Sequence, residues 1–181
     1  MILPAQAVCN KKTRSVMSKL KKFSIALAVV LVVIQFFHPQ KNISNSVLAN
    51  RITAPKQIQN ILATSCNDCH SNNTVYPWYN NIQPVAWWLG HHINEAKEKL
   101  NFDEFAAYSL RRQYHKLEEV EEMINEIEMP LTSYAFIHRN AILSAQQKHV
   151  LIDWTKNLRK EMEAKYPIDS LIRKQQKPKA L

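Results

Sequence analysis

An all-helical domain preceded by one apolar N-terminal segment is the fold this sequence predicts. Three observations carry that expectation. The 181 residues include a single glycine, Gly90. Outside the N-terminal apolar run, no stretch alternates β-branched residues at period two. From residue 56 onward, apolar positions recur at three- and four-residue spacing behind helix-start signals. The length suffices for one domain with a core of its own.

The formal charge of +9 would suit a nucleic-acid or membrane partner, but it is not spread evenly. Residues 1–22 carry six Lys/Arg and no acid, and residues 173–181 carry four more. Between them, residues 23–172 hold 14 basic and 15 acidic side chains. The domain therefore offers no basic nucleic-acid face, and nucleic acid is not an expected partner.

In chain order, Lys19, Lys21 and Lys22 precede a run from Phe23 to Phe37 that is apolar except for Ser24 and Gln35. Fifteen helical residues span about 22 Å, against about 30 Å of hydrocarbon. Flanking side chains that snorkel would let the run cross. Residues 1–22 are then a cytoplasmic basic N-terminus and 23–38 a transmembrane signal anchor, with the remainder in the periplasm. The alternative is a secretory signal cleaved near Val47-Leu48-Ala49, releasing the domain to the periplasm. Met17 opens a typical start for such a segment, so residues 1–16, with Cys9, are expected to be untranslated. Residues 39–54 read as a polar linker.

Pro55 suits a helix start, and Lys56–Thr64 places Ile58, Ile61 and Leu62 on one side. That helix runs into Cys66-Asn67-Asp68-Cys69-His70, the C-x-x-C-H pattern of c-type haem attachment. Two thiols at this spacing add across the two vinyl groups of one haem, and the following imidazole lies beneath the iron. One ring nitrogen binds iron; the other donates to a backbone carbonyl or similar acceptor, which fixes the ring. A structural zinc site would need a second Cys or His pair, and the chain has three cysteines in all. A thioredoxin-like pair belongs at a helix start behind a strand, whereas this one follows a helix. One covalent haem c with its iron is therefore the expected cofactor.

After a loop at residues 71–74 come Tyr76, Trp78 and Tyr79, which serve either as core or as a wall over the haem edge; Trp87 is a further candidate. Pro84 starts a helix over Val85–Leu100. Asn101 and Asp103 are N-cap candidates for a helix from Glu104 that continues to Glu128. Leu117, Val120, Ile124 and Ile127 form its inward stripe, and its many glutamates a solvated face. Met129-Pro130 ends it. Ser144 and Gln147 make a capping box for a last helix, Ala145–Lys165, with Leu143, Val150, Leu151, Trp154 and Leu158 on one face. The haem-binding domain thus covers 55–165. Residues 166–181 read as a basic tail, disordered or lying on lipid headgroups.

Haem iron needs a sixth ligand, from Met129 or from His91, His92, His115, His138 or His149. A thioether suits reduced iron and raises the potential. Met129 is favoured by its place ahead of Pro130, with His91 and His92 next.

The segments around Cys66–His70, Tyr76-Pro77-Trp78-Tyr79, Pro84–Leu89 with His91-His92-Ile93, and Glu128-Met129-Pro130-Leu131 with Tyr134 resemble the bacterial haem-binding domain family. The resemblance covers about residues 52–158. It implies a cytochrome c-like helical domain around one haem. By wider similarity to class I cytochromes c, Cys66 and Cys69 carry the haem, His70 is the proximal ligand and Met129 the distal one. A six-coordinate iron shuttles electrons to a redox partner protein rather than activating a substrate, so a carrier, not an enzyme, is expected. The alternative is a haem sensor or peroxidase-like enzyme with a labile distal ligand, where His91 or His92 acts as acid/base.

Overall fold

The computed structural model describes residues 5–44 and 49–172, with side chains from Ser18 onward. It divides into two units, one running from the N-terminus to Gln40 and including Pro77–Gly90, the other built from Lys41–Tyr76 and His91 onward. Among the described residues there are eight α-helices and no strand. The expected all-α class is what is found. Residues 1–4 and 173–181, including most of the expected basic tail, lie outside the described residues, as does the side chain of Cys9.

In the first unit, helix α1 (Ala5–Ile34) ends three residues before the apolar run does. Its described apolar side chains, from Phe23 to Val33, are mostly exposed. Among the described residues no helix is long and apolar enough to cross a membrane. The residues after α1 are held by the Pro77–Gly90 segment. The Gln83 N–H donates to Gln35 Oε1 at 2.9 Å, and the carbonyl of Phe37 accepts from both Gln83 Nε2 (2.6 Å) and Trp87 Nε1 (2.9 Å). The glycine is needed here: a Cβ at Gly90 would sit 3.2 Å from the Pro39 ring.

The second unit is built on α2 (Lys56–Ser65), α3 (Asn67–His70), the later turns of α4 (Val85–Lys99), α5 (Leu110–Asn125), α6 (Thr132–Ile137), α7 (Ala145–Lys165) and α8 (Ile168–Leu171). Ile58, Ile61 and Leu62 of α2 meet Leu117 and Ile124 of α5, Leu151 and Trp154 of α7, and Leu100, Phe102 and Phe105 in one buried cluster. The apolar stripes foreseen for α2 and α7 face this core. The capping box at Ser144 and Gln147 is formed in both directions, so two orphan N–H groups of α7 are satisfied.

Several expectations are corrected. The helix expected from Glu104 begins at Leu110, where Ser109 caps it by accepting from the Arg112 N–H. Residues 105–107 form only a 3₁₀ turn. The same helix ends at Asn125 rather than Glu128, and Ile127 is not in the inward stripe: it is exposed, with φ of 60°. The glutamates of α5 are not a plain solvated face either. Glu118 pairs with Arg159 of α7 at 2.8 Å, and Glu121 with Lys156 at 3.2 Å. The chain also stays folded beyond Tyr166: α8 buries Leu171 completely.

The stretch read as a linker is partly tied down. Asn42 Nδ2 donates to the Ser71 carbonyl (2.8 Å) and to Thr74 Oγ1 (2.9 Å), and its N–H donates to Tyr76 Oη (2.6 Å). The Ile52 N–H reaches the Phe102 carbonyl at 2.8 Å.

Candidate functional site

The Cys66–His70 stretch follows α2 with one irregular residue. Cys66 itself leaves helical geometry, its N–H still bonded to the Leu62 carbonyl. Its own carbonyl then accepts from the Cys69 and His70 N–H groups at 3.2 and 2.9 Å, starting α3. Both cysteines are free and partly buried, Cys66 against the core. Burial pushes the Cys66 thiol up to about 12, and the nearby Cys69 adds to it. Burial, then the charge of Asp68, pushes the Cys69 thiol up to about 11.

His70 is gripped from a distant part of the chain. Its Nδ1 lies 2.9 Å from the Leu100 carbonyl. A carbonyl only accepts, so Nδ1 carries the proton and Nε2 keeps its lone pair for a metal. The His70 carbonyl in turn accepts from the Phe102 N–H at 2.8 Å, and the two rings meet edge-on at 6.2 Å. Burial lowers the pKa of the imidazole, with the Leu100 bond acting against that shift. The ring is therefore neutral at pH 7, the form that ligates.

The 100–103 segment is itself locked onto the loop after the motif, and this is the role of the two residues expected to cap a helix. Asn101 Nδ2 donates to Asn72 Oδ1 (2.8 Å). The Asp103 carboxylate accepts from the Asn72 N–H (2.9 Å) and from Arg51 Nε (2.6 Å). Asp68, inside the motif, accepts from Tyr134 Oη at 2.5 Å, and Tyr134 stacks on His138 at 4.3 Å.

Beside His70 opens a cleft of about 550 Å³, with walls wholly from the second unit. It lies in the size range of cofactor clefts, ~300–1,000 Å³. Cys66, His70 and Met129 line it, along with Leu100, Phe102, Val120, Ile124, Leu143 and Leu151. Of the six distal candidates, only Met129 is in this lining. His91 faces Glu95 on the surface, His115 pairs with Glu118 and Glu119, and His149 with Asp153. Met129 is delivered by the turn that ends α5. The Glu128 N–H reaches the Met123 carbonyl at 2.9 Å and the Ile127 N–H the Ile124 carbonyl at 3.3 Å. These are the two bonds of a Schellman turn, with isoleucine in the left-handed position that favours glycine. The Met129-Pro130 bond is cis.

A mostly apolar cleft with one neutral imidazole, the Cys66 thiol and two thioethers in its wall fits a haem; Cys69, three residues after Cys66, is not itself in the lining. Among the described residues no cluster of three or more Cys, His, Asp or Glu could hold a bare metal ion, so the zinc alternative has no ligand set there. The haem-binding domain family model matches residues 29–157. This chain belongs to the haem-binding domain family. Neither the curated proteins nor the solved structures include a significant match. Haem is thus its ligand.

Several cleft residues were not foreseen as site residues from sequence. Met123 brings a second sulfur to the lining; Lys99, Lys116 and Glu119 bring charge. Met123 was legible, being three residues after Val120 on the inward face of α5. None of the aromatic candidates is in the lining of this cleft. Tyr76, in the second unit, spends its hydroxyl on the Asn42 N–H and is not in the lining. Trp78, Tyr79 and Trp87 belong to the first unit, where Trp78 and Tyr79 share one 3₁₀ turn with their rings edge-on at 5.9 Å.

Proposed function

We propose that this haem-binding domain is a membrane-anchored, single-haem electron carrier of cytochrome c type, working on the periplasmic side. On this reading Cys66 and Cys69 carry haem c through thioethers, His70 is the proximal ligand and Met129 the distal one. The bound haem supplies a one-electron Fe(III)/Fe(II) couple. The chain supplies the rest: a fixed imidazole, a mostly apolar cleft and a soft sulfur that favours reduced iron.

The observation that carries the reading is the His70–Leu100 bond. It sets the tautomer and leaves Nε2 as the ligating atom in the cleft that Met129 also lines. No histidine other than His70 lines that cleft, so neither His91 nor His92 stands in its wall as the distal acid/base of a peroxidase-like site. The exposed apolar side chains of residues 23–37 support an anchor in lipid.

The test is exported, haem-loaded protein. Intact mass should show one covalent haem, and a tryptic peptide should place it on residues 66–70. Met129→Ala should keep the haem but lower the reduction potential on the order of 100 mV, within the ~0.8 V that axial ligands span. Met123→Ala should leave the potential nearly unchanged. Colourless protein from a competent host would end the haem c reading; a shift with Met123 instead would exchange the two sulfurs.

A further inference from the structure

Pro77–Gly90 is uncharged, as is Phe23–Phe37, in a chain where 22% of residues are charged. The two stretches belong to one unit. Each presents large apolar side chains to the outside: Phe36 is 81% exposed, Trp78 75%, Trp88 47% and Ile82 45%. The start of α4 is apolar on two sides. Ala86, Leu89 and Ile93 are buried, while Val85 and Trp88, three apart, stay exposed. A helix that already has a buried face does not need a second apolar one in water.

The backbone at this place is satisfied internally. Where α1 ends, Gln35 Nε2 donates to the Leu31 carbonyl (2.8 Å) and Gln35 Oε1 accepts from the Gln83 N–H. The Phe37 carbonyl accepts twice, from Gln83 Nε2 and Trp87 Nε1. Non-helical backbone is tolerated at membrane depth only under such internal pairing. The charges stand off at the edges, with Lys19, Lys21 and Lys22 before the apolar run and Lys41 after it.

We infer that Pro77–Gly90 is a lipid-embedded collar, which docks Trp78, Ile82, Val85 and Trp88 into the outer interface of the bilayer around the exit of α1. The inference rests on the membrane anchor proposed above and extends it. The helical part of the apolar run, 23–34, spans about 18 Å, about 12 Å short of the hydrocarbon core. A collar of tryptophans at its outer end makes up that deficit with side chains that favour the headgroup boundary. It also ties the haem domain to the surface by a second segment of chain, 40 residues beyond the first.

The experiment uses the full haem-loaded chain in phosphatidylethanolamine/phosphatidylglycerol vesicles carrying a diazirine-bearing phosphatidylcholine. After illumination, lipid adducts are mapped by peptide mass. Adducts are expected on residues 23–37 and on 78–88, and none on α7, whose Trp154 is buried in the core. Trp78→Glu with Trp88→Glu, both at exposed positions, should cut adducts on 78–88 several-fold, while those on 23–37 and the haem spectrum stay unchanged. Adducts confined to 23–37, or labelling of 78–88 indifferent to the glutamates, overturns the collar and leaves the anchor standing. Labelling of neither stretch removes both. Cross-links joining 78–88 of two copies in place of lipid adducts would make this face a self-association surface and also overturn the inference.

Discussion

The folded, haem-free chain should be a poor thiol nucleophile, and the size of the effect follows from where the motif sits. Thiol–disulfide exchange needs thiolate. At pH 8 a thiol with the ordinary value of 9.0 is about one-tenth ionised, whereas Cys66, raised to about 12, is ionised at about one part in 10⁴. The more basic sulfur is intrinsically more reactive, and a Brønsted slope of ~0.4–0.5 returns about 20-fold of that ~10³-fold loss. Cys66 should thus exchange about 40-fold slower than in the unfolded chain. Cys69, raised to about 11, should be slower by about 10-fold. The assay is exchange with an aromatic disulfide, followed by peptide mass, on haem-free chain at pH 8 with and without urea. Circular dichroism of the same samples reports whether the helices melt cooperatively. A cooperatively folded chain in which Cys66 exchanges within three-fold of its rate in urea would refute the reasoning. The consequence for function is an order of events. If the thioethers form on these sulfurs, they form before the second unit closes over them.

Other residues of the site give sharper, smaller effects. Ile127→Gly should stabilise the chain to denaturant by about 0.5–1 kcal/mol, the ~1–2 kcal/mol left-handed penalty less the flexibility glycine adds to the unfolded state; unchanged stability would mean the turn is not strained. Tyr134→Phe removes a hydroxyl donor from the Asp68 carboxylate and should cost about 1.5 kcal/mol in equilibrium unfolding, with the His138 stacking partner retained. Burial holds the folded His70 below its ordinary 6.5, so the unfolded chain binds more protons in the window below 6.5. The stability of the haem-free chain should then be full above pH 6.5 and fall as pH drops through it, and His70→Gln should flatten that slope in urea titrations.

The helices were legible where packing and local signals agree. The 56–65 and 145–165 helices declare themselves by apolar spacing and by a capping box, and C-x-x-C-H declares the cofactor because its spacing has one common use. Asn101 and Asp103 were misread for a physical reason. An Asn or Asp before an apolar run is a cap signal, but the same short polar side chains also stitch loops, and only the fold brings Asn72 and Arg51 within reach of them. Likewise Glu118 and Glu121 look solvated until α7 brings Arg159 and Lys156 alongside. Ile127 fits the helical period of α5, yet the helix stops before it, because the Schellman bonds take the chain off toward Met129. Nothing local announces that turn, since the glycine that usually marks it is absent.

That absence bears on how the site works. The chain has one glycine, and it is used where Pro39 leaves no room for a Cβ, not at the turn that presents Met129. A strained isoleucine persists only where surrounding contacts over-determine it. Here those contacts are the two Schellman bonds and the cleft wall of Met123 and Ile124 just before it. On the proximal side, His70 is likewise held by a segment thirty residues away rather than by its own helix. The proposed proximal ligand is therefore positioned by tertiary structure and the proposed distal one by the turn that ends α5, and ligand binding there adds directly to folding free energy. Loss of axial ligation and unfolding should be one event in this unit. The two proposed thioethers would remove the route by which the cofactor could leave while the chain is open, which is the physical case for covalent attachment in a fold whose proposed ligands come from two separate stretches of sequence.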